Sequence, residues 1–249
     1  MLMSRTHDFG RERPAMTVLV APSGFKESIG PEEAAEHIAA GVLRAQPDAR
    51  VLKAPFADGG EGFTRAMVNA TGGSMHRLAV TGPTGHRIES FLGFLGGAAS
   101  GTAVIEMAAA AGLRLVPRSQ RNPMLTSSYG VGELIRAALD AGARRILLGC
   151  GDSGTNDGGA GMVQALGARL LDAQGRELGR GGAELLRLQR IELDELDGRL
   201  RQVRLEAAVN WHNVLLGPRC VTRMFGRQKG ATTEQVLLLE EALRTYARC

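Results

Sequence analysis

The chain has 249 residues, 44% of them apolar and 22% charged, enough to bury the core of one large α/β domain or two smaller ones. Its net charge of +4 is scattered and aromatics make up only 4% of the chain, so a nucleic-acid footprint is not expected. No apolar run approaches the length of a bilayer-spanning helix, residues 1–15 lack the apolar core of a secretion signal, and Cys150, Cys220 and Cys249 form no CxxC pair; a reducing, cytoplasmic setting with no membrane partner is expected.

Residues 1–15, MLMSRTHDFGRERPA, read as a disordered tail. TVLVA (17–21), closed by Pro22, reads as a buried strand. Pro31 then opens a helix with Ala35, Ile38, Ala39 and Val42 on one face, Pro being favourable where the N–H would be unpaired anyway. Residues 51–56 form a second strand, followed by a helix from Glu61 to Ala70 that ends at Gly72-Gly73. From His76 to Met107, LAVT, RIESFLGFL and TAVIEM read as a strand meander broken at Gly82-Pro83-Thr84-Gly85 and at GGAASG. A long helix fits 127–141, a strand 145–149, a helix 159–167, a turn 172–175, a strand 203–209 and a last helix 232–247.

Chemistry concentrates in the loops after strands. The densest is RILLGCGDSGTNDGGAG (145–161), where six glycines are interspersed with Ser153, Thr155, Asn156, Asp152 and Asp157. Glycines let backbone approach a ligand, and the N–H groups of such a loop suit a phosphate. Carboxylates and hydroxyls among them suit a cation or a substrate hydroxyl. Within it, Gly149, Gly151 and Gly154 match GxGxxG, and Asp172 falls roughly 20 residues on, where a dinucleotide-binding fold would hold a ribose. An NAD-dependent oxidoreductase is therefore an alternative. Against it stand the mid-chain position of the match and the carboxylate of Asp157.

The tripeptide Asp-Gly-Gly occurs twice, at 58–60 and at 157–159, both times after a strand, where α/β sheets place ligands. Glu61 opens the following helix, where an acid also suits the helix dipole. Lys26 in APSGFKES, with Arg223 and Lys229 in RMFGRQKGA, offers cations for phosphate or carboxylate. Glu106 ends the run TAVIE as a further acid at a strand end. No GxxxxGK[ST] is present, so a P-loop is excluded.

Seven stretches appear together and in order: APSGFKES, ADGGEGF, VTGPTG, AVIEMAAAAGL, RNPMLTSSYGVGELI, GCGDSGTNDGGAGMVQALGA and FGRQKGA. In these the chain resembles the bacterial glycerate kinase family from Thr17 to its end. The resemblance implies two unlike α/β domains, one flavodoxin- or Rossmann-like and one mixed, with the active site in the cleft between them. Residues 16–60 would then begin a discontinuous domain whose remainder is missing, and 61–249 would form the second. It implies phosphorylation of D-glycerate by ATP with Mg2+, 2-phosphoglycerate being the expected product. Asp157 and Asp58 are expected as proton acceptor and metal clamp, in either order, with Lys26 as a catalytic cation. Gly151, Ser153, Thr155, Asn156, Gly158, Gly159, Glu61, Glu106, Arg223 and Lys229 are expected to bind substrate or nucleotide. Relatives continue past the point matching Cys249, with a further glycine-rich segment and an ITGEG-like loop, so an inactive truncated homologue is the other alternative.

Overall fold

The computed structural model describes residues 16–25, 28–56, 58–209 and 212–249. The expected tail and Lys26 lie outside the described residues.

Two short apolar strands, β1 (Thr17–Val20) and β2 (Arg50–Lys53), pair in parallel with Thr17 opposite Arg50. Parallel neighbours need a crossover, supplied by α1 (Pro31–Ala45), which has Pro at its start and buries Ala34, Ala35 and Ala39. Helix α2 (Phe63–Thr71) starts two residues later than the sequence suggests. Gly62 takes φ 89, a left-handed conformation that no helix can include, so Glu61 stays in the preceding loop.

A second sheet carries the rest. Strands β3 (Ser74–Thr81) and β4 (Arg87–Phe94) form an antiparallel hairpin around Gly82–His86. Strand β5 (Thr102–Glu106) touches β4 antiparallel through Ala103 and Val104 only. Beyond β5 the direction changes. The short α3 (Ala108–Ala111) and α4 (Tyr129–Asp140) cross over to β6 (Arg145–Gly149), which runs parallel to β5. Next come α5 (Ala160–Ala165) and an antiparallel pair, β7 (Arg169–Leu171) with β8 (Arg190–Glu192). Strand β9 (Arg204–Ala208) then lies parallel on the far side of β6, giving the order β3-β4-β5-β6-β9. Helices α6 (Val221–Phe225) and α7 (Thr233–Tyr246) close the chain, α7 starting in a capping box between Thr232 and Gln235.

The centre of the five-stranded sheet is buried on both faces. Side chains alternate along β5, so Ala103 and Ile105 pack with Val131, Leu134 and Ile135 of α4, while Val104 packs with Phe63 and Val68 of α2. A third apolar cluster joins Ala160 and Leu170 to Leu185, Leu188 and Leu243 of α7. The β7–β8 pair and α6 are absent from the sequence-based elements. Each has five residues or fewer, too short for a periodic signal. Helix α5 has six residues, not nine, because Gly159 (φ 84) and Gly167 (φ 102) are left-handed at its two ends.

Candidate active site

Parallel pairing puts the carboxyl ends of β5, β6 and β9 side by side, with Glu106 opposite Gly149 and Gly149 opposite Ala208. The loops leaving those ends enclose a cavity of about 450 Å³. Its wall includes Asp58 and Glu61 from the loop before α2, Gly151 to Ser153 and Thr155 to Gly159 from the glycine loop, and Lys229 from the turn after α6. Of the expected ligand-binding residues, Gly151, Ser153, Thr155, Asn156, Gly158, Gly159, Glu61 and Lys229 thus meet around one opening, together with Asp58 and Asp157.

The glycine loop folds against other backbone before it faces any ligand. The N–H of Gly151 donates to Gly59 O at 2.9 Å. A Cβ on Gly149 would come within 2.5 Å of Gly59 O, one on Gly151 within 2.6 Å of Gly60, and one on Gly154 within 2.9 Å of Leu113 Cα. All three glycines of the GxGxxG match therefore serve loop-to-loop contact, and α5 begins only at Ala160. Asp172 holds its own turn, accepting from the N–H groups of Gln174 and Arg176 and from Arg176 Nε. This geometry removes the basis of the dinucleotide reading, because neither the glycines nor the acid stand where a pyrophosphate or ribose would need them.

Asp157 is 1% exposed and its carboxylate is fixed from several sides. Oδ2 accepts from Ser128 N and Ser128 Oγ, both at 2.8 Å, from Gly161 N at 3.2 Å and from Ser127 Oγ at 3.5 Å, while Oδ1 accepts from Gly159 N at 3.3 Å. Ser127 and Ser128 sit at the start of α4, so this carboxylate joins α4, the glycine loop and α5. Its charge and burial together push the nearby Tyr246 hydroxyl up, burial being the larger cause. Lys229 Nζ donates to Ser153 Oγ at 2.9 Å and Thr155 O at 2.6 Å, and Asn156 Nδ2 donates to Thr222 Oγ1 at 3.0 Å. The C-terminal helices are thereby fastened to the loop.

Two expected residues do not reach the opening. Glu106 is 3% exposed and lies behind the wall, accepting from Thr64 N at 2.8 Å and Gly62 N at 3.3 Å; burial pushes its carboxyl above the ordinary value. It holds the first turn of α2. Arg223 pairs with Glu240 of α7 at 2.7 Å, a buried carboxylate that Arg244 also contacts, so the guanidinium neutralises a buried charge.

The structure also brings in residues that the sequence left unassigned. Arg114 lines the cavity and pairs with Glu61 at 3.2 Å. Asp152 lines it too and accepts from Glu61 N at 3.1 Å. Ser127 and Ser128 supply the side-chain donors to Asp157. Only Asp152 carried a signal, as an acid among the loop glycines. Arg114 and the serines are far from their partners in sequence. A smaller cavity of about 100 Å³ adjoins the first beside Ser23, Gly24 and Pro31, and Asp58, Glu61 and Asp152 line both.

The fold and site define an α/β protein whose parallel strands end in an acidic, glycine-rich cleft, the place where such folds bind their ligands. A family model described as "Glycerate kinase family" matches residues 18–249, and the chain belongs to that family. It is 50% identical over 232 residues to a glycerate kinase of Bacillus subtilis, covering 93% of this chain and 60% of that protein. It is 46% identical to a glycerate 2-kinase of Escherichia coli, with coverage of 93% and 60%. The crystal structure of a protein named glycerate kinase 2 from Salmonella typhimurium LT2 superposes with a TM-score of 0.77 at 50% identity, over 94% of this chain and 62% of that one. The chain thus spans about 60% of the length of the curated relatives it matches. Among the described residues, no helix is long and apolar enough to cross a membrane.

Proposed function

We propose that this chain carries most of the active site of an ATP-dependent kinase that phosphorylates D-glycerate to 2-phosphoglycerate. The observation that carries this reading is Asp157, a buried carboxylate held by loop and helix donors at the wall of a cleft that Asp58 shares. The names of the relatives supply the substrate and the product.

Phosphoryl transfer needs alignment and charge neutralisation more than covalent help. Asp58 lines both compartments and takes the proton from the attacking glycerate hydroxyl. The oxygen left behind bonds to the γ-phosphorus, and ADP departs with the electrons of the broken bond. Lys229 and Arg114, with Lys26, balance the negative charge of phosphates and substrate carboxylate. The Ser153 and Thr155 hydroxyls orient the phosphates.

The donor set fits Mg2+. Among the described residues no group of three or more acid, His or Cys side chains gathers to hold an ion alone, and Mg2+ takes one or two carboxylates with phosphate oxygens and water. Asp157 suits such an ion because its position is fixed while Oδ1 has a single long contact among its hydrogen bonds. When bound, Mg2+ would neutralise charge on the transferring phosphoryl group.

A second reading is favoured by the β1–α1–β2 unit. Leu19 and Leu52 lie exposed on its open face, 64% and 41%, whereas parallel sheets are normally covered on both sides. On this reading the unit begins a second domain that further chain completes, and residues 16–249 alone do not turn over. A coupled ADP-release assay with D-glycerate, run on this chain and on one extended to the family length, decides. Activity in the extended chain alone supports the second reading; activity in neither removes the kinase. Stabilisation by Mg-ATP and not by NADH in a thermal-shift assay is expected, and the reverse would restore the oxidoreductase.

A further inference from the structure

Asp152 is the one non-glycine residue with positive φ (54) among the described residues. A left-handed conformation strains any residue that bears a Cβ, least Asp and Asn, whose short polar side chains bond locally. The conformation turns the side chain back across the seam between two loops. Oδ2 accepts the Glu61 N–H, and a Cβ on Gly60 would fall 2.2 Å from that oxygen, so residue 60 is glycine where this carboxylate sits. On the other side, Asp152 O accepts the Leu113 N–H at 2.9 Å. Residue 152 therefore ties together three chain segments, and each segment it ties bears a side chain of the cleft: Asp58 and Glu61 on one, Arg114 on the next, Ser153 on its own.

We infer that Asp152 is a positioning residue that fixes the loop 58–62 across the mouth of β6, so that Asp58 and Glu61 face both compartments. No comparison with known proteins assigns it a role. The inference deepens the kinase reading and rests on it only for its effect on turnover; the clasp itself does not. Gly59 O receives the Gly151 N–H on the same seam, and Glu106 holds the far end of the loop through Gly62 and Thr64. Removal of the Asp152 contact should therefore loosen the middle of the loop while leaving α2 in place.

Three substitutions separate the possible roles. Asp152→Asn keeps an acceptor oxygen and tolerance of positive φ but loses the charge. Asp152→Gly relieves the backbone and removes the acceptor. Asp152→Ala removes the acceptor and keeps the strain. If position is what matters, Asp152→Asn keeps turnover near that of the parent. Asp152→Gly and Asp152→Ala should then lose about 100-fold in kcat, the cost of a roughly 1 Å misplacement, with KM for Mg-ATP little changed. Amide hydrogen exchange at Glu61 should be as slow in Asp152→Asn as in the parent and faster in Asp152→Gly. Loss of turnover in Asp152→Asn equal to that in Asp152→Gly would show that the carboxylate charge takes part directly, and would overturn the inference. So would an Asp152→Gly protein with Glu61 still protected. If the parent transfers no phosphate at family length, the kinase reading fails and the exchange rates alone decide the clasp.

Discussion

The strands β1 and β6 read alike in sequence, TVLV and RILLG, and each feeds a loop that lines one of the two adjoining cavities, yet they live in different surroundings. Strand β6 lies between β5 and β9, with Ile146 and Leu148 against α4 and Leu147 toward α2. Strand β1 has one partner and one helix, and Leu19 points to water. The contrast teaches that an apolar run records the burial a strand needs, whether or not the chain at hand supplies it. It also teaches where precision resides: Asp157, whose carboxylate is held by loop and helix donors, follows the strand that has neighbours on both sides.

The strongest way to break that contrast is at the site. Asp157→Asn replaces an acceptor oxygen by a donor facing the N–H and hydroxyl groups of Ser128 and Gly161. It should cut D-glycerate-dependent ADP release about 1,000-fold relative to its parent. A change of less than about tenfold would remove Asp157 from the reaction. The second way is at the core. Ile105→Ala, at a fully buried position of β5, should cost about 2–5 kcal/mol in urea denaturation. A loss below about 1 kcal/mol would mean that the five-stranded sheet is not the stable part of the molecule.

The outline of the second sheet was legible in the sequence because its strands are short apolar runs and its breaks carry Gly-Pro and Gly-Gly pairs. The change from antiparallel to parallel pairing at β5 was not, since pairing direction is set by the crossover through α4 and not by the strand's own residues. Asp58, Asp157 and the glycine loop were readable from residue type and place. The role of Glu106 was not: an acid at a strand end looks the same whether it meets a ligand or, as here, the N–H groups of Gly62 and Thr64. Arg223 misleads for a similar reason, because its buried partner Glu240 lies a helix away.

Glu106 offers a pH-dependent test of the seam between the two regions. Burial, aided by the charge of Glu61, raises its carboxyl above the ordinary 4.5, against the pull of the Thr64 and Gly62 N–H groups. A carboxyl raised in the folded state binds its proton more tightly there than in the unfolded chain. Its contribution is therefore full below the ordinary value and is lost as pH climbs through the raised one. Glu106→Gln cannot ionise and lacks this slope. The stability of the parent relative to Glu106→Gln should then be greatest below the ordinary 4.5 and decline as pH rises above it. A difference that stays constant across that span would show that Glu106 does not titrate behind the wall.

The smallest expected effect sharpens the comparison most, because it depends on chain length. Leu19→Thr keeps a strand-favouring residue on β1 and removes apolar surface from a position 64% exposed. In this chain the change should lie within about 0.5 kcal/mol, as for other surface substitutions. In a chain of family length the same change should cost about 2 kcal/mol if the open face of β1 and β2 becomes covered, since a leucine removed from water contributes about that much. Paired denaturation curves on the two lengths measure the difference directly. Equal small effects in both would mean that Leu19 faces solvent in the longer protein as well, and that the β1–α1–β2 unit is complete with one covered face.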